Sequence, residues 1–167
     1  MISVYYCNEN KDKFINELSE IIGKRKPIFI CIGSSQIAFD SVGAIVGNKI
    51  SQLPCLVYGN TRYNIDALNL LKSMQFIDTM HDEKYCKIVI DAAIGLENEV
   101  GTIQLYNNGI MPGSATNKNL GKIGDASIVA VTSSSTMLDY YKTEREKAIL
   151  SEKMADSIAN CIIKAVI

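Results

Sequence analysis

Residues 2 to 7, ISVYYC, form a β-branched and aromatic run that predicts a strand. Phe14, Ile15, Leu18, Ile21 and Ile22 then recur at helical spacing, which predicts a helix from about Lys11 to Lys24 with Asn8 available as its cap. From Pro27, PIFICI is apolar without alternation, the mark of a strand covered on both faces, and Gly33 ends it. A helix from about Ser41 to Ile50 follows, then a short strand, CLVYG, and a helix from about Ile65 to Phe76 carrying Leu68, Leu70, Leu71, Met74 and Phe76. Two more strand-like runs, CKIVIDAA and VGTIQLY, lead into NNGIMPGSATNKNLGKIG, a loop rich in Gly, Pro and Asn. The chain then makes ASIVAVTS and a long helical region from about Thr136 to Val166, with Met154, Ala155, Ile158, Ala159, Ile162 and Ile163 at core spacing.

Strands alternating with helices predict an α/β fold: a three-layer α/β/α sandwich around a mostly parallel, mixed central sheet. At 167 residues, with no internal repeat or linker, the chain reads as one domain spanning residues 1–167. A domain of that size buries roughly 70% of its unfolded surface. In open sheets of this kind the ligand crevice lies beyond the carboxyl ends of the strands, which directs attention to the loops at 33–40, 91–95 and 133–136.

Composition narrows the partners. Apolar residues make up 47% and charged residues 21%, which argues against disorder. A net charge of −1 favours neither nucleic acid nor an anionic membrane. No run approaches the ~20 apolar residues of a membrane span. The five cysteines are widely spaced, mostly inside apolar runs, and read as reduced core thiols of a cytoplasmic protein.

The chemistry on offer is acidic. Asp40 closes the first loop and Asp91 ends the run IVI, so two carboxylates from distant positions are expected at one crevice. Close approach raises the pKa of one member and leaves an acid beside a base. The structural alternatives are that Asp40 caps the following helix and that Asp91 binds the amides of its own turn. Gly33, Ser34 and Ser35 form either a tight turn or an anion cradle of backbone amides. Gly109, Pro112, Gly113 and Ser114 fix the shape of the long loop, and Asn117 and Lys118 lie within reach of a substrate carbonyl or carboxylate, unless the lysine is simply solvated. His81, the sole histidine, lies in the polar segment MHDEKY and reads as surface, which argues against His-rich metal sites and Ser-His-Asp or Cys-His triads.

Five segments together, IGSSQIAFDSVGAIVG, VYGNTRYNIDALNL, IVIDAAIG, VGTIQLYNNGIMPGSATNKNLGKIGDASIVAVTS and KMADSIA, resemble in this order the YyaC family of sporulation proteins. That family is similar to the germination protease of spore-forming bacteria and more remotely to hydrogenase maturation proteases. The resemblance implies a sporulation-associated peptidase using two aspartates, acting on protein or peptide substrates such as small acid-soluble spore proteins in the forespore cytoplasm. Matched motifs carry the two acids onto Asp40, in Asp-x-x-Gly, and Asp91, in Ile-Asp-Ala, and bring the loop from Gly109 to Ser114 with Asn117 and Lys118 near the site. Relatives have Leu-Gly-Pro where this chain has Val42-Gly43-Ala44, and Gln36, Ile37 and Phe39 make its glycine turn bulkier. The nickel recognition of hydrogenase maturation proteases lacks its histidine here. No cofactor or resident metal is expected, and a divalent ion between the two acids is the less favoured variant. A non-catalytic peptide-binding or regulatory protein is the main alternative, and self-association is left open.

Overall fold

A computed structural model describes residues 1–111, 121–136 and 142–167. The described elements are strand β1 (Ile2–Tyr5), helix α1 (Asp12–Ile22), β2 (Lys26–Cys31), α2 (Val42–Lys49), β3 (Leu56–Tyr58), α3 (Leu70–Met80), β4 (Tyr85–Gly95), β5 (Thr102–Tyr106), β6 (Ala126–Ser134) and α4 (Glu144–Val166). Short 3₁₀ turns occupy Ala38–Asp40 and Glu97–Glu99. The strands form one sheet in the order β1-β5-β6-β4-β2-β3. The pairs β6/β4, β4/β2 and β2/β3 are parallel, whereas β5 runs antiparallel to both its neighbours. This is the mostly parallel, mixed sheet of an α/β sandwich.

The two faces of the sheet bury separate clusters. On one, Phe29, Cys31, Ile88 and Ile90 meet Phe14 and Leu18 of α1, Val42 and Val46 of α2, and Met154, Ile158 and Ile162 of α4. On the other, Ile28, Ile30 and Val89 meet Leu70, Met74 and Ile77 of α3, together with Ile65 and Ile123. Alternate residues of β2 and β4 thus serve opposite layers, and apolar runs without alternation result.

Several boundaries differ from the sequence expectation. The helix predicted from Ile65 starts at Leu70 and runs on to Met80. Ile65 is drawn instead into a parallel bridge with Ile32, and its carbonyl accepts the Gly33 amide at 2.8 Å. Only Leu70, Met74 and Ile77 of α3 are buried, while Leu68, Leu71 and Phe76 are exposed. The last helix is α4, entered through a capping box: Thr143 Oγ1 accepts the Glu146 amide, and Glu146 Oε2 accepts the Thr143 amide at 2.7 Å. Asn8 does not cap α1; its Oδ1 accepts the Asn10 amide, and Asn10 Oδ1 accepts the Asp12 amide. Cys31, Cys86 and Cys161 are buried thiols and Cys55 is half-buried, but Cys7 is exposed because β1 ends at Tyr5. No described helix is long and apolar enough to cross a membrane.

Candidate functional site

From β2 the chain moves outward to β3 on one side, then returns to place β4 on the other. The carboxyl ends of β2 and β4 therefore mark a topological switch point, where open α/β sheets form their crevice. Asp40 ends the 3₁₀ turn that follows β2, and Asp91 lies in β4 just past Ile90, the partner of Cys31. The two carboxylates are close enough that the charge of Asp40 acts on Asp91.

Asp40 is not a helix cap. Ser41 occupies that position with no side-chain capping bond, and its hydroxyl donates to the Ala38 carbonyl at 2.8 Å. Asp40 instead closes the preceding loop on itself: Oδ2 accepts the Ser34 amide at 2.9 Å. Gly33 makes that closure sterically available. Its φ is +148°, and a Cβ there would lie 2.1 Å from the Asp40 carbonyl oxygen. The turn is anchored from other layers as well. Thr132, the extra residue of a β-bulge in β6 opposite Ala93 and Ile94, donates its hydroxyl to the Phe39 carbonyl at 2.7 Å. From α4, Ser151 donates to the Ala38 carbonyl at 2.7 Å.

Burial pushes the Asp40 carboxyl above its ordinary value, the Ser34 amide opposes this, and the Asp66 charge adds to it. Asp91 is pushed up to about 7, first by burial and then by the Asp40 charge, against the lowering effect of the Ala92 amide that Oδ1 accepts at 2.8 Å. Asp91 therefore titrates against the charge of Asp40. Below about pH 7 Asp91 thus keeps its proton beside the Asp40 carboxyl.

Four amides of the glycine turn are committed. Gly33 N–H donates to Ile65 O, Ser34 N–H to Asp40, Gln36 N–H to Ser34 Oγ at 3.3 Å and Ile37 N–H to Ser34 O. Of the two readings of Gly33, Ser34 and Ser35, these bonds describe a tight turn, with four of its donors used internally. Ser35 borders the loop at 60–64, donating its hydroxyl to Thr61 O at 3.3 Å. Gly109 sits in a close antiparallel contact, where a Cβ would lie 2.0 Å from the Ile123 carbonyl oxygen, and the next residue, Ile110, pairs with Ile123. Pro112, Gly113, Ser114, Asn117 and Lys118 lie outside the described residues.

Two further side chains bear on the site and its surroundings. Asp66 was missed because it fell inside the helix predicted from about Ile65; in the structure it precedes α3, and its Oδ1 accepts the Leu68 amide. Its effect on Asp40 comes from the Ile32/Ile65 bridge, which periodicity does not encode. His81, expected at the surface, is half-buried, with Nε2 2.7 Å from Tyr58 Oη and its ring 4.8 Å from that of Tyr85. Among the described residues no three His, Cys, Asp or Glu side chains are grouped as metal ligands.

The fold and the switch-point acids define an α/β sandwich protein with two electrostatically coupled aspartates beyond adjacent parallel strands. The chain belongs to the family described as a protein of unknown function, DUF1256, whose profile matches residues 2–161. It is also similar to an uncharacterized protein, YyaC, of Bacillus subtilis (strain 168), with 29% identity over 138 residues that cover 80% of this chain and 67% of the relative. The resemblance to the YyaC family read from the sequence motifs is borne out.

Proposed function

We propose that this chain is a peptidase-like hydrolase associated with sporulation, in which Asp40 activates a water molecule and Asp91 acts as the acid. The observation that carries this reading is the meeting of two carboxylates at one switch point, with Asp91 pushed up to about 7 by burial and by the Asp40 charge, which supports a general acid beside a base. Ionised Asp40 takes a proton from water as its oxygen attacks the peptide carbonyl. Protonated Asp91 hydrogen-bonds the carbonyl oxygen as negative charge develops there, and later proton transfer to the amine releases the two product ends. Each such group typically contributes about 10² to 10⁴ in rate.

The reading requires hydrolysis of an extended protein substrate, with small acid-soluble spore proteins as the first class to try. Rate should be highest on the acid side of neutrality and fall as pH rises through about 7, where Asp91 gives up its proton. Asp40→Asn and Asp91→Asn should each abolish turnover. One observation favours the non-catalytic alternative, a peptide-binding regulatory protein: the Gly33, Ser34, Gln36 and Ile37 amides of the turn that would serve an oxyanion are already bonded. Substrate binding with no cleavage across pH 4 to 8, unchanged by either Asn variant, would decide for it.

A further inference from the structure

We propose that this site takes an extended peptide segment as an added strand, seated on the open edge of β4 at residues 91–95 along the line that β2 abandons. Strand β4 spans Tyr85–Gly95, but its register with β2 ends at the pair Cys31 and Ile90, whereas its register with β6 continues to Gly95. The last bond on the β2 side runs from the Ile32 amide to the Ile90 carbonyl at 2.8 Å. Residues 91–95 are therefore paired on one side only, and an unpaired strand edge is a template for a further strand. Burial changes at the same point: Ile88, Val89 and Ile90 are fully buried, Asp91, Ala92 and Ala93 are half-buried, and Ile94 is 61% exposed.

The chain that leaves β2 does not fill this edge. Gly33, at φ +148°, turns the backbone away, and the turn that follows is held by Thr132 of β6 at the Phe39 carbonyl and by Ser151 of α4 at the Ala38 carbonyl. Among the described residues, no main-chain bond joins residues 33–41 to β4. Main-chain groups alternate in direction along a strand, so Ala92 and Ile94 face the side that Ile90 faces. The Ala92 amide donates to Asp91 Oδ1 at 2.8 Å, which puts that carboxyl at the edge itself. The Ala92 carbonyl and the Ile94 amide have no bond on this side to a described residue, and they are the next acceptor and donor that a strand laid there would use.

The occupant follows from the place of β4 in the sheet. It is an interior strand, so another folded sheet approaching from the β2 side meets β3 first, and the open stretch admits a single extended chain. Main-chain pairing recognises a peptide backbone with little regard to sequence, excludes proline at the bonding positions, and lets the exposed Ile94 side chain favour an apolar or β-branched residue across from it. A peptide seated there passes directly beside the Asp91 carboxyl. What then happens to the peptide rests on the hydrolase reading above, but the seat can be measured without turnover.

The test uses the full chain and an array of overlapping synthetic peptides from small acid-soluble spore proteins. The tightest binder is resynthesised with one backbone N-methyl group at each position in turn and measured by fluorescence anisotropy. Methylation should weaken binding about 3- to 10-fold at every second residue of the seated stretch, the loss of one main-chain hydrogen bond, and leave the residues between nearly unchanged. In amide NMR spectra the unmodified peptide should move the signals of residues 91–95. Ile94→Pro, which removes the edge donor, should weaken that peptide by a similar factor, and Ile94→Ala, which keeps the donor, by less. An array without a binder, a methylation profile without the two-residue period, or amide shifts confined to other elements overturns the inference, and the methylation profile decides even where Ile94→Pro fails to fold. If the period is present but the peptide stays intact, the seat stands and the hydrolase reading falls. If the peptide is cleaved without the period, the hydrolase reading stands and the seat falls.

Discussion

Replacing Asp91 by Asn should stabilise the protein above neutral pH while removing the acid from the site. The carboxyl is pushed from its ordinary 3.8 up to about 7. Between those values the unfolded chain has released a proton that the folded chain still holds, so wild-type stability falls as pH rises, by about 1.4 kcal/mol per pH unit. The full contribution is present below pH 3.8 and is lost by the time pH passes about 7, which sets a ceiling of about 4 kcal/mol. The Asn carbonyl can keep the bond from the Ala92 amide, but its NH₂ needs a partner of its own, at a cost of about 1 to 3 kcal/mol if it finds none. The net expectation is a variant more stable than wild type by about 1 to 3 kcal/mol at pH 8, with the order levelling or reversing at pH 4. Urea unfolding of both proteins at closely spaced pH values measures this directly. A difference in unfolding free energy that stays constant from pH 4 to pH 8 would refute the reasoning, because it would mean that Asp91 titrates alike in the folded and unfolded chains.

Two further outcomes test how the site is held. Gly33→Ala places a Cβ 2.1 Å from the Asp40 carbonyl oxygen at a positive φ, and should cost at least about 2 kcal/mol in denaturant unfolding while breaking the Ser34–Asp40 bond. Unchanged stability together with an unchanged Asp40 titration would show that the turn adapts freely. Thr132→Val removes the 2.7 Å bond to the Phe39 carbonyl and should cost about 1 to 2 kcal/mol, with greater amide-exchange rates confined to residues 37–41; global loosening instead would place the role of Thr132 in the sheet.

The layers of this fold were legible because burial on both faces of β2 and β4 writes itself as apolar runs without alternation, and amphipathic α1 writes itself at helical spacing. The two acids were legible for a related reason: Asp91 follows directly on such a run and Asp40 closes the loop that leaves another, at the end of the sheet where open α/β folds form their crevice. What the sequence hid was long-range. Ile65 carries no local sign that it will leave its helix to pair with Ile32, since both states want an apolar residue there. Thr132 looks like any other strand residue until the register slip against β4 turns its hydroxyl to Phe39. The commitment of the Gly33 and Ser34 amides likewise depends on groups six or more residues away.

The position of β1 bears on how the chain reaches its native state. Its residues pair with β5 in the register Ile2 to Leu105 through Tyr5 to Thr102. The next element, α1, shares its core cluster with Met154 and Ile158 of α4. During synthesis, Phe14 and Leu18 emerge long before the residues that cover them, so this half of the core assembles late and has high contact order. The parallel trio β2, β3 and β4 closes over much shorter loops and is suited to form first, leaving β1 and α1 to dock onto a partly built sheet. Substitutions on α1 should therefore mainly accelerate unfolding, whereas those in β2 and β4 should slow folding itself.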